Sequence, residues 1–158
     1  KSDIPYDSAA PLFPFGHGLS YANFSYAAFS ADRTAVAPDE DFTISVDVTN
    51  TSDREADEVV QLYMRDPVAS IARPKLELSG FKRIPLAAGQ TRTISFTLSA
   101  AQAAIWHRSQ GWQIEPGELD FMIGASSADI RGRLSVTVTR AGVASAPAAA
   151  IETRVNVQ

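Results

Sequence analysis

Cysteine is absent from this 158-residue sequence, and histidine occurs only twice. Without cysteine the chain has no disulfide framework and no thiolate metal site. No run of basic residues exceeds two and the net charge is −4 at pH 7, so we expect no nucleic-acid partner. The sequence also lacks an apolar run near the roughly 18–20 residues that a membrane-spanning helix needs, so we expect no membrane span.

The middle of the chain instead alternates apolar and polar residues in short stretches. Between Phe42 and Val48 every even position is apolar and every odd position is polar. The same period of two recurs around Phe96, Phe121 and Val136, and it predicts half-buried strands whose apolar faces need a second layer. Turn residues separate the stretches. Six or seven short strands of this kind indicate an all-β fold, a β-sandwich of the immunoglobulin or fibronectin type III kind.

One short helical turn is expected after Leu98. Ser99 is a favourable N-cap, and Gln102 lies three residues further on, as a capping box requires. Residues 100–105 are otherwise rich in helix formers. We therefore expect His107 to lie just beyond the end of this turn, where its ring contacts terminal carbonyls.

The two ends of the chain differ in composition from this core. Residues 1–23 are interpreted as an interdomain strap or linker, residues 24–140 as the sandwich, and residues 141–158 as an Ala/Pro-rich linker with a final segment. In that final segment residues 151–157 resume the alternation of apolar residues. It is either an edge strand of the sandwich or a tail that pairs with a neighbouring domain, and the sequence favours neither.

Residues 11–21, here called the strap, read Pro-Leu-Phe-Pro-Phe-Gly-His-Gly-Leu-Ser-Tyr. The prolines keep this backbone out of helices and sheet interiors, and the glycines allow positive φ angles or close backbone approach. The strap carries large apolar side chains that have no obvious partner in the rest of the sequence. We therefore expect the chain to be part of a larger protein, with the strap contacting another domain through Phe13, Phe15, His17 and Tyr21.

The titratable residues offer no convincing catalytic set. His17 lies between two glycines, a setting that suits a presented ligand or acid, but we favour a packed, hydrogen-bonded residue in a turn. The acidic clusters at 39–41 and 53–58 lack the alternating ligands and central glycine of a calcium loop, so we interpret both as solvated charge. Asn23 and Asn50 begin glycosylation acceptor patterns of a kind that often arises by chance. We assign no catalytic residue and no metal ligand.

Trp106 and Trp112 flank the short stretch 109–111. Exposed tryptophans often stack on sugar rings, which would make the chain a carbohydrate-binding module. Alternatively, both rings pack at one end of the sandwich core or against a neighbouring domain. We favour packing, because large aromatic side chains bury the most area, and keep the two tryptophans as the candidates for substrate binding.

The strap and a series of later stretches together resemble a specific family. The strap is similar to the segment that leads into the C-terminal domain of family 3 glycoside hydrolases, the β-glucosidase and β-xylosidase family. The later stretches resemble that domain in the same order, and the resemblance covers residues 11–139. Several motifs in the right order are more specific than any one alone. These stretches are residues 46–51, 58–63, 66–74, 78–84, 86–90, 105–106, 111–112 and 115–124.

The resemblance implies a fibronectin type III-like domain, in agreement with the predicted sandwich. Enzymes of this family hydrolyse β-linked glucosides or xylosides with retention, using an Asp nucleophile in an N-terminal barrel and a Glu acid/base in the following α/β sandwich domain. Both precede this segment, so the resemblance implies neither a catalytic residue nor a cofactor here. It implies an accessory domain that packs on those catalytic domains, in a periplasmic or secreted enzyme acting on β-linked oligosaccharides, with its export signal upstream. An interaction domain that shares only the fold is a further alternative.

Residues 66–75 form a long connection between two predicted strands, and long loops tend to be functional. Arg65, Asp66, Arg73 and Lys75 offer polar contacts there. Our hypothesis is that this loop abuts a catalytic domain or the rim of its substrate cleft. The alternative is a solvated loop held by its two prolines.

Overall fold

A computed structural model describes residues 11–146 and 153–158 of the chain. The described residues form twelve strands and one short 3₁₀ helix, Ala100–Ala103. In chain order the strands are β1 (Phe24–Ala31), β2 (Ala35–Val36), β3 (Asp41–Asn50), β4 (Ala56–Arg65), β5 (Glu77–Leu86), β6 (Thr91–Ser99), β7 (Ile105–His107), β8 (Gly111–Ile114), β9 (Gly117–Gly124), β10 (Ile130–Val138), β11 (Gly142–Val143) and β12 (Arg154–Val157).

These strands form a β-sandwich, as the period-two pattern predicts. One sheet has the strand order β1-β3-β6-β12, and the facing sheet has the order β2-β10-β9-β4-β5. The inward residues of β3 are buried, and Phe42 meets Phe121 of the facing sheet edge-to-face, with ring centroids 5.5 Å apart. Each apolar side chain buried in this way stabilises the fold by about 1.5–3 kcal/mol. The alternation along each strand therefore reflects the packing of the two sheets.

Strand β4 lies between β9 and β5 in its sheet. Its inward side chains Val60, Leu62 and Met64 belong to the core. On its other face Gln61 and Tyr63 are buried as well, although no third layer of strands covers them in the described part of the chain. The residues that bury them come from the strap and from the β9–β10 loop.

The 3₁₀ helix matches only part of the prediction. The Ser99 hydroxyl accepts a hydrogen bond from the Ala101 N–H (3.2 Å), so Ser99 is the N-cap. The predicted capping box is wrong, because the Gln102 amide instead donates to the Ser79 carbonyl (3.1 Å) and to the Thr153 hydroxyl (2.8 Å). The Gln102 side chain therefore points towards the neighbouring strands rather than back at the start of its own helix.

His107 does not follow the helical turn as expected. It ends β7, which pairs with β8 in a third, three-stranded sheet of order β11-β8-β7. Its Nε2 lies 4.0 Å from a carboxylate oxygen of Glu115. The expectation of terminal carbonyl contacts was wrong because residues 105–107 pair as a strand and leave no helix C-terminus at that position.

The end of the chain contains an edge strand. β12 pairs antiparallel with β6, with Arg154 opposite Thr97 and Val157 opposite Ile94. The predicted C-terminal linker begins with β11, which pairs with β8. Residues 1–10 of the predicted N-terminal linker and residues 147–152 lie outside the described part of the chain. In the described residues no helix has the length and hydropathy of a membrane span.

Candidate functional site

The strap lies across the outer face of the sheet that contains β4 and β5, and its large side chains are open to solvent. Phe13 and Phe15 are 67% and 66% exposed, and Tyr21 is 96% exposed. Leu12 and Leu19 are exposed as well. The strap therefore presents a set of apolar side chains that the described residues do not cover.

His17 ends a hydrogen-bonded turn, as we expected, but its side chain is exposed rather than packed into the domain. Its ring stacks on Phe13 with centroids 5.3 Å apart. The hydrogen bond of this residue comes from its backbone, since the His17 N–H donates to the Pro14 carbonyl at 3.0 Å. Pro14 fixes one backbone angle of this turn and so helps to determine where the His17 ring is presented.

Gln61 holds the strap to the sandwich. Its side-chain amide donates to the Gly16 carbonyl (3.0 Å) and to the Ala125 carbonyl (2.6 Å), and its carbonyl oxygen accepts from the Tyr63 hydroxyl. The Phe15 carbonyl accepts a further bond from the Ser127 N–H (2.9 Å). A buried amide with every polar atom satisfied fixes its neighbours, because each lost partner would leave an unpaired group.

Tyr63 lies on the same face of β4 as Gln61 and also contacts the strap. It is 1% exposed, and burial raises its pKa to about 12. The Phe15 ring meets it edge-to-face with centroids 6.5 Å apart. Phe15 therefore contacts the domain through this ring pair, while most of its surface stays exposed.

Gly16 is the one strap residue for which glycine is required. Its φ is +78°, a region that favours glycine, and a Cβ at this position would lie 2.8 Å from the Tyr63 hydroxyl oxygen and closer still to the Gln61 amide oxygen. Gly18, in contrast, has open space where a Cβ would stand. The strap can approach the sheet this closely only because residue 16 has no side chain.

Between the strap and the sheet lies a cleft of about 620 Å³. Its apolar walls include Phe15 of the strap, Val59 of β4 and Phe81 of β5. Val59 and Phe81 are 39% and 45% exposed. The volume lies within the roughly 300–1,000 Å³ of typical ligand pockets.

Four charged residues line the same cleft. They are Asp57, Glu58, Asp129 and Arg131. Asp129 accepts a bond of 2.7 Å from Arg131, and this hydrogen bonding lowers the pKa of Asp129. Asp57 accepts a bond of 2.7 Å from Arg83. Two of the three carboxylates are therefore already paired with guanidinium groups.

Glu58 is half-buried and has a different partner. It accepts a hydrogen bond of 3.1 Å from the Tyr26 hydroxyl. Burial raises the pKa of Glu58, and burial together with the Glu58 carboxylate raises the pKa of Tyr26. The Arg131 guanidinium lies over the Tyr26 ring, 5.5 Å from its centroid. Within the described residues Glu58 forms no ion pair.

The loop 66–75 is braced from within by Arg73, whose side chain is 9% exposed. Its guanidinium donates to Glu77 (3.0 Å) and to the Ala103 carbonyl (2.6 Å), and lies 3.8 Å from Asp66. The Ser70 N–H donates to Glu115 (2.9 Å), and hydrogen bonding by Ser70 lowers the pKa of Glu115. The loop is therefore held in shape by these bonds as well as by its prolines.

The outward surface of this loop differs from its braced interior. Arg65 and Lys75 are exposed. Val68 is 87% exposed and Ile71 is 44% exposed. Asp66 and Arg73, in contrast, face each other inside the loop, so the surface offered outward is more apolar than the sequence suggested.

The two tryptophans form one edge-to-face pair on paired positions of β7 and β8, with ring centroids 5.4 Å apart. Trp112 packs against the core, whereas Trp106 is 57% exposed. A sugar-stacking platform needs open ring faces, and this pair offers one such ring. The other ring of the pair, Trp112, is packed against the core.

The acidic clusters are dispersed into separate pairs. Asp39 bonds to Arg140 (2.7 Å) and Asp41 to Arg154 (2.9 Å), both at the surface. The Glu40 carboxylate accepts a bond of 2.8 Å from the Ala37 N–H. In the described part of the chain no group of three or more His, Asp or Glu side chains is close enough to hold a metal ion.

Asn50 begins a glycosylation acceptor pattern, but its role in the structure is to hold neighbouring backbone groups. Its side chain is fully buried, donating to the carbonyls of Arg54 (2.8 Å) and Leu86 (3.0 Å) and accepting from the Ser52 N–H (3.0 Å). A glycan cannot be attached to this nitrogen in the folded domain. Asn23 is exposed.

Gln61 is the functional residue that sequence reasoning missed. The available signal was a polar residue between two apolar neighbours, Val60 and Leu62. A buried amide needs hydrogen-bond partners, and the strap provides one of them, the Gly16 carbonyl.

Comparison with known proteins agrees with this architecture. A family model described as a fibronectin type III-like domain matches residues 58–127, which include β5, β6 and β9. Residues 58–127 belong to the fibronectin type III-like domain family. The predicted sandwich of this type is thereby confirmed, and the strap lies immediately before the domain's first strand.

The relatives of this fibronectin type III-like domain are glycosidases. A β-xylosidase from Formosa agariphila is 43% identical over 87% of the chain and 19% of its own length. A periplasmic β-glucosidase from Salmonella typhimurium is 37% identical over 79% of the chain and 16% of its own length. The crystal structure of a GH3 β-glucosidase from Bifidobacterium adolescentis has a TM-score of 0.74 at 40% identity, over 79% of this chain and 18% of that one.

These matches fall in the C-terminal region of the relatives. The resemblance of the motif series to the C-terminal domain of family 3 glycoside hydrolases is therefore confirmed. The fibronectin type III-like chain spans less than a fifth of the length of the curated relatives it matches.

Proposed function

We propose that this chain is the C-terminal accessory domain of a retaining, exo-acting β-glycosidase of the β-glucosidase or β-xylosidase type. The observation that carries the proposal is the match to such enzymes over about four-fifths of the chain, at 37–43% identity, in their C-terminal region. The domain's role is to stabilise the catalytic domains and fix their geometry. The catalytic Asp and Glu of the enzyme lie in those preceding domains.

The proposal that the domain is not itself catalytic is supported by how its carboxylates are used. Around the cleft beneath the strap, Asp57 pairs with Arg83 and Asp129 with Arg131. Glu58 is held by the Tyr26 hydroxyl. A glycosidase needs an acid and a second carboxylate free to act on opposite sides of a glycosidic bond.

The strap and the loop 66–75 are the proposed contacts with the catalytic domains. The exposed apolar side chains of the strap, from Phe13 to Tyr21, suit a protein interface rather than solvent. Val68 and Ile71 add a second, smaller apolar surface on the loop, near the exposed Arg65 and Lys75. The catalytic partners are a barrel and an α/β sandwich domain, and the substrate is a β-linked oligosaccharide.

An activity assay tests the proposed function. The full-length protein is expected to hydrolyse 4-nitrophenyl β-glucoside or β-xyloside, while residues 1–158 alone give no turnover. Hydrolysis by the isolated chain would contradict the accessory role. Saturable binding of the isolated chain to cellulose, laminarin or xylan oligomers, lost on Trp106→Ala, would instead favour a carbohydrate-binding module.

The parent enzyme is proposed to act in the periplasm or outside the cell. The support is the Salmonella relative, whose name describes it as periplasmic. Fractionation of source cells followed by immunodetection tests this, because recovery of the protein in the cytosolic fraction would contradict it.

A further inference from the structure

The cleft beneath the strap has open apolar walls although the strap lies directly beside it. Phe15 and Phe81 both line this space and remain 66% and 45% exposed. Val59 on β4 adds to the same wall. In a domain whose two layers bury their core side chains almost completely, three open apolar groups around one cleft indicate a surface that a partner covers.

The strap cannot close this cleft by itself. Its position is fixed by the bonds from Gln61 and Ser127 to the carbonyls of Gly16 and Phe15. From Gly18 to Tyr21 the strap continues with exposed residues. The cleft is thus a built feature, held open between a fixed strap and a rigid sheet, rather than a gap left by a loose segment.

The charge within the cleft is unbalanced. Asp57 and Asp129 have arginine partners, and the Arg131 guanidinium is engaged by Asp129. Glu58 accepts a hydrogen bond from the Tyr26 hydroxyl. The Arg131 guanidinium favours the charged form of Glu58 from a distance, but no cation of the described residues lies within ion-pair distance of this carboxylate. A half-buried carboxylate in this setting is complementary to a cation.

We infer that the cleft receives a basic side chain from the preceding part of the same polypeptide. The aliphatic stem of a lysine or arginine would lie between Phe15, Val59 and Phe81, and its charged group would reach Glu58. Long basic side chains combine an apolar stem with a charged end, which is the combination that this cleft presents.

The occupant is assigned to the same polypeptide because of where the cleft lies. The strap is the point at which any preceding domain joins this one, and the relatives carry about four-fifths of their length outside the matched region. A segment tethered at the strap has a high effective concentration at the cleft. This inference rests on the proposed function, since it requires the catalytic domains as the source of the basic group.

Photo-cross-linking in the full-length protein tests the inference. Phe81 is replaced by benzoylphenylalanine, and Val143, which is 75% exposed on β11, carries the same probe as a control. The Phe81 probe is expected to link to a peptide of the preceding domains that contains lysine or arginine, and the Val143 probe is not. Links confined to residues 11–158, or links between two molecules, would overturn the inference.

Charge removal gives a second readout on the same probe. Glu58→Gln keeps the acceptor for Tyr26 and is expected to lower the yield of the Phe81 link about threefold, as for loss of a modest ion pair. Asp39→Asn, which removes a charge outside the cleft lining, leaves the yield unchanged. An equal yield in the Glu58→Gln protein would overturn the assignment of a basic group.

A third probe position separates failure of this inference from failure of the proposed function. Tyr21 lies on the strap but outside the residues that line the cleft. Links from Tyr21 to the preceding domains without any from Phe81 would remove the cleft proposal and leave domain docking intact. Absence of such links from both positions would contradict both.

Discussion

The amide nitrogen of Gln61 donates a 3.0 Å hydrogen bond to the carbonyl oxygen of Gly16, 45 positions earlier in the chain. This bond joins the centre of β4 to a segment that belongs to no strand. The same amide group also bonds Ala125 and Tyr63. One buried side chain therefore couples the strap, the β9–β10 loop and the sheet.

Gly16→Ala is expected to destabilise the chain by about 1–3 kcal/mol, because the positive φ and the close Gln61 side chain both oppose a Cβ. Gly18→Ala is the matched control, since a Cβ there meets open space. Urea unfolding of residues 1–158 followed by circular dichroism measures both. Equal midpoints for the two variants would contradict the assigned role of Gly16.

Gln61→Leu removes the bonds to Gly16 and Ala125 and leaves the Tyr63 hydroxyl unpaired, so we expect a loss of about 1–3 kcal/mol. Cleavage of the strap by a protease should also accelerate. Gln113→Leu serves as the control, because its amide bonds only an exposed carbonyl. A strap that stays resistant to the protease in Gln61→Leu would show that other contacts hold it.

Asn50→Ala is expected to cost about 2–3 kcal/mol, because it removes three hydrogen bonds of a fully buried side chain. Asn23→Ala, at the other glycosylation pattern, should change stability by less than about 0.5 kcal/mol, as surface substitutions do. Thermal unfolding of the two variants measures the stability that each has lost. Similar losses for both would mean that Asn50 is not a structural residue.

Trp112→Ala should destabilise by about 2 kcal/mol through lost core packing, and Trp106→Ala by about 1 kcal/mol through the lost aromatic pair. Unfolding in guanidinium, monitored by circular dichroism, compares them. The order of the two losses is the test, since a larger loss for Trp106→Ala would contradict the assignment of Trp112 as the ring that packs on the core.

Glu58 should make stability depend on pH. Burial raises the pKa of Glu58 in the folded state, so the folded protein holds this proton more tightly than the unfolded chain does. The resulting stabilisation is complete below the ordinary carboxyl pKa of about 4.3, and it is lost as the pH rises through the folded-state pKa. The free energy of unfolding of Glu58→Gln, compared with that of wild type, should therefore increase as the pH rises through this interval. Denaturant unfolding of residues 1–158 at a series of pH values measures the difference. A difference that does not vary with pH would contradict the burial of this carboxyl.

Much of the sandwich follows from local pattern. In β3 the alternation from Phe42 to Val48 determines which side chains face the second sheet, and the structure buries those side chains. The edge strand β12 was one of two alternatives, because alternation alone does not identify a pairing partner. Short strands such as β7 escaped prediction, since three residues are too few to display a period.

The candidate site was harder to predict for a physical reason. The strap could be recognised from its prolines, glycines and aromatic residues, but its attachment depends on an amide that meets it from 45 positions away. Likewise, Arg73 looked available for a neighbouring domain, and the structure directs it to Glu77 and Ala103. Polar contacts between residues far apart in the chain leave no periodic pattern in the sequence.

Differential scanning calorimetry of the full-length protein, compared with the same protein lacking residues 11–158, tests the central claim most directly. If the domain stabilises the catalytic domains, the intact protein unfolds in one cooperative transition and the truncated protein unfolds at a lower temperature. Two separate transitions in the intact protein, with the catalytic one unchanged by the truncation, would contradict the account.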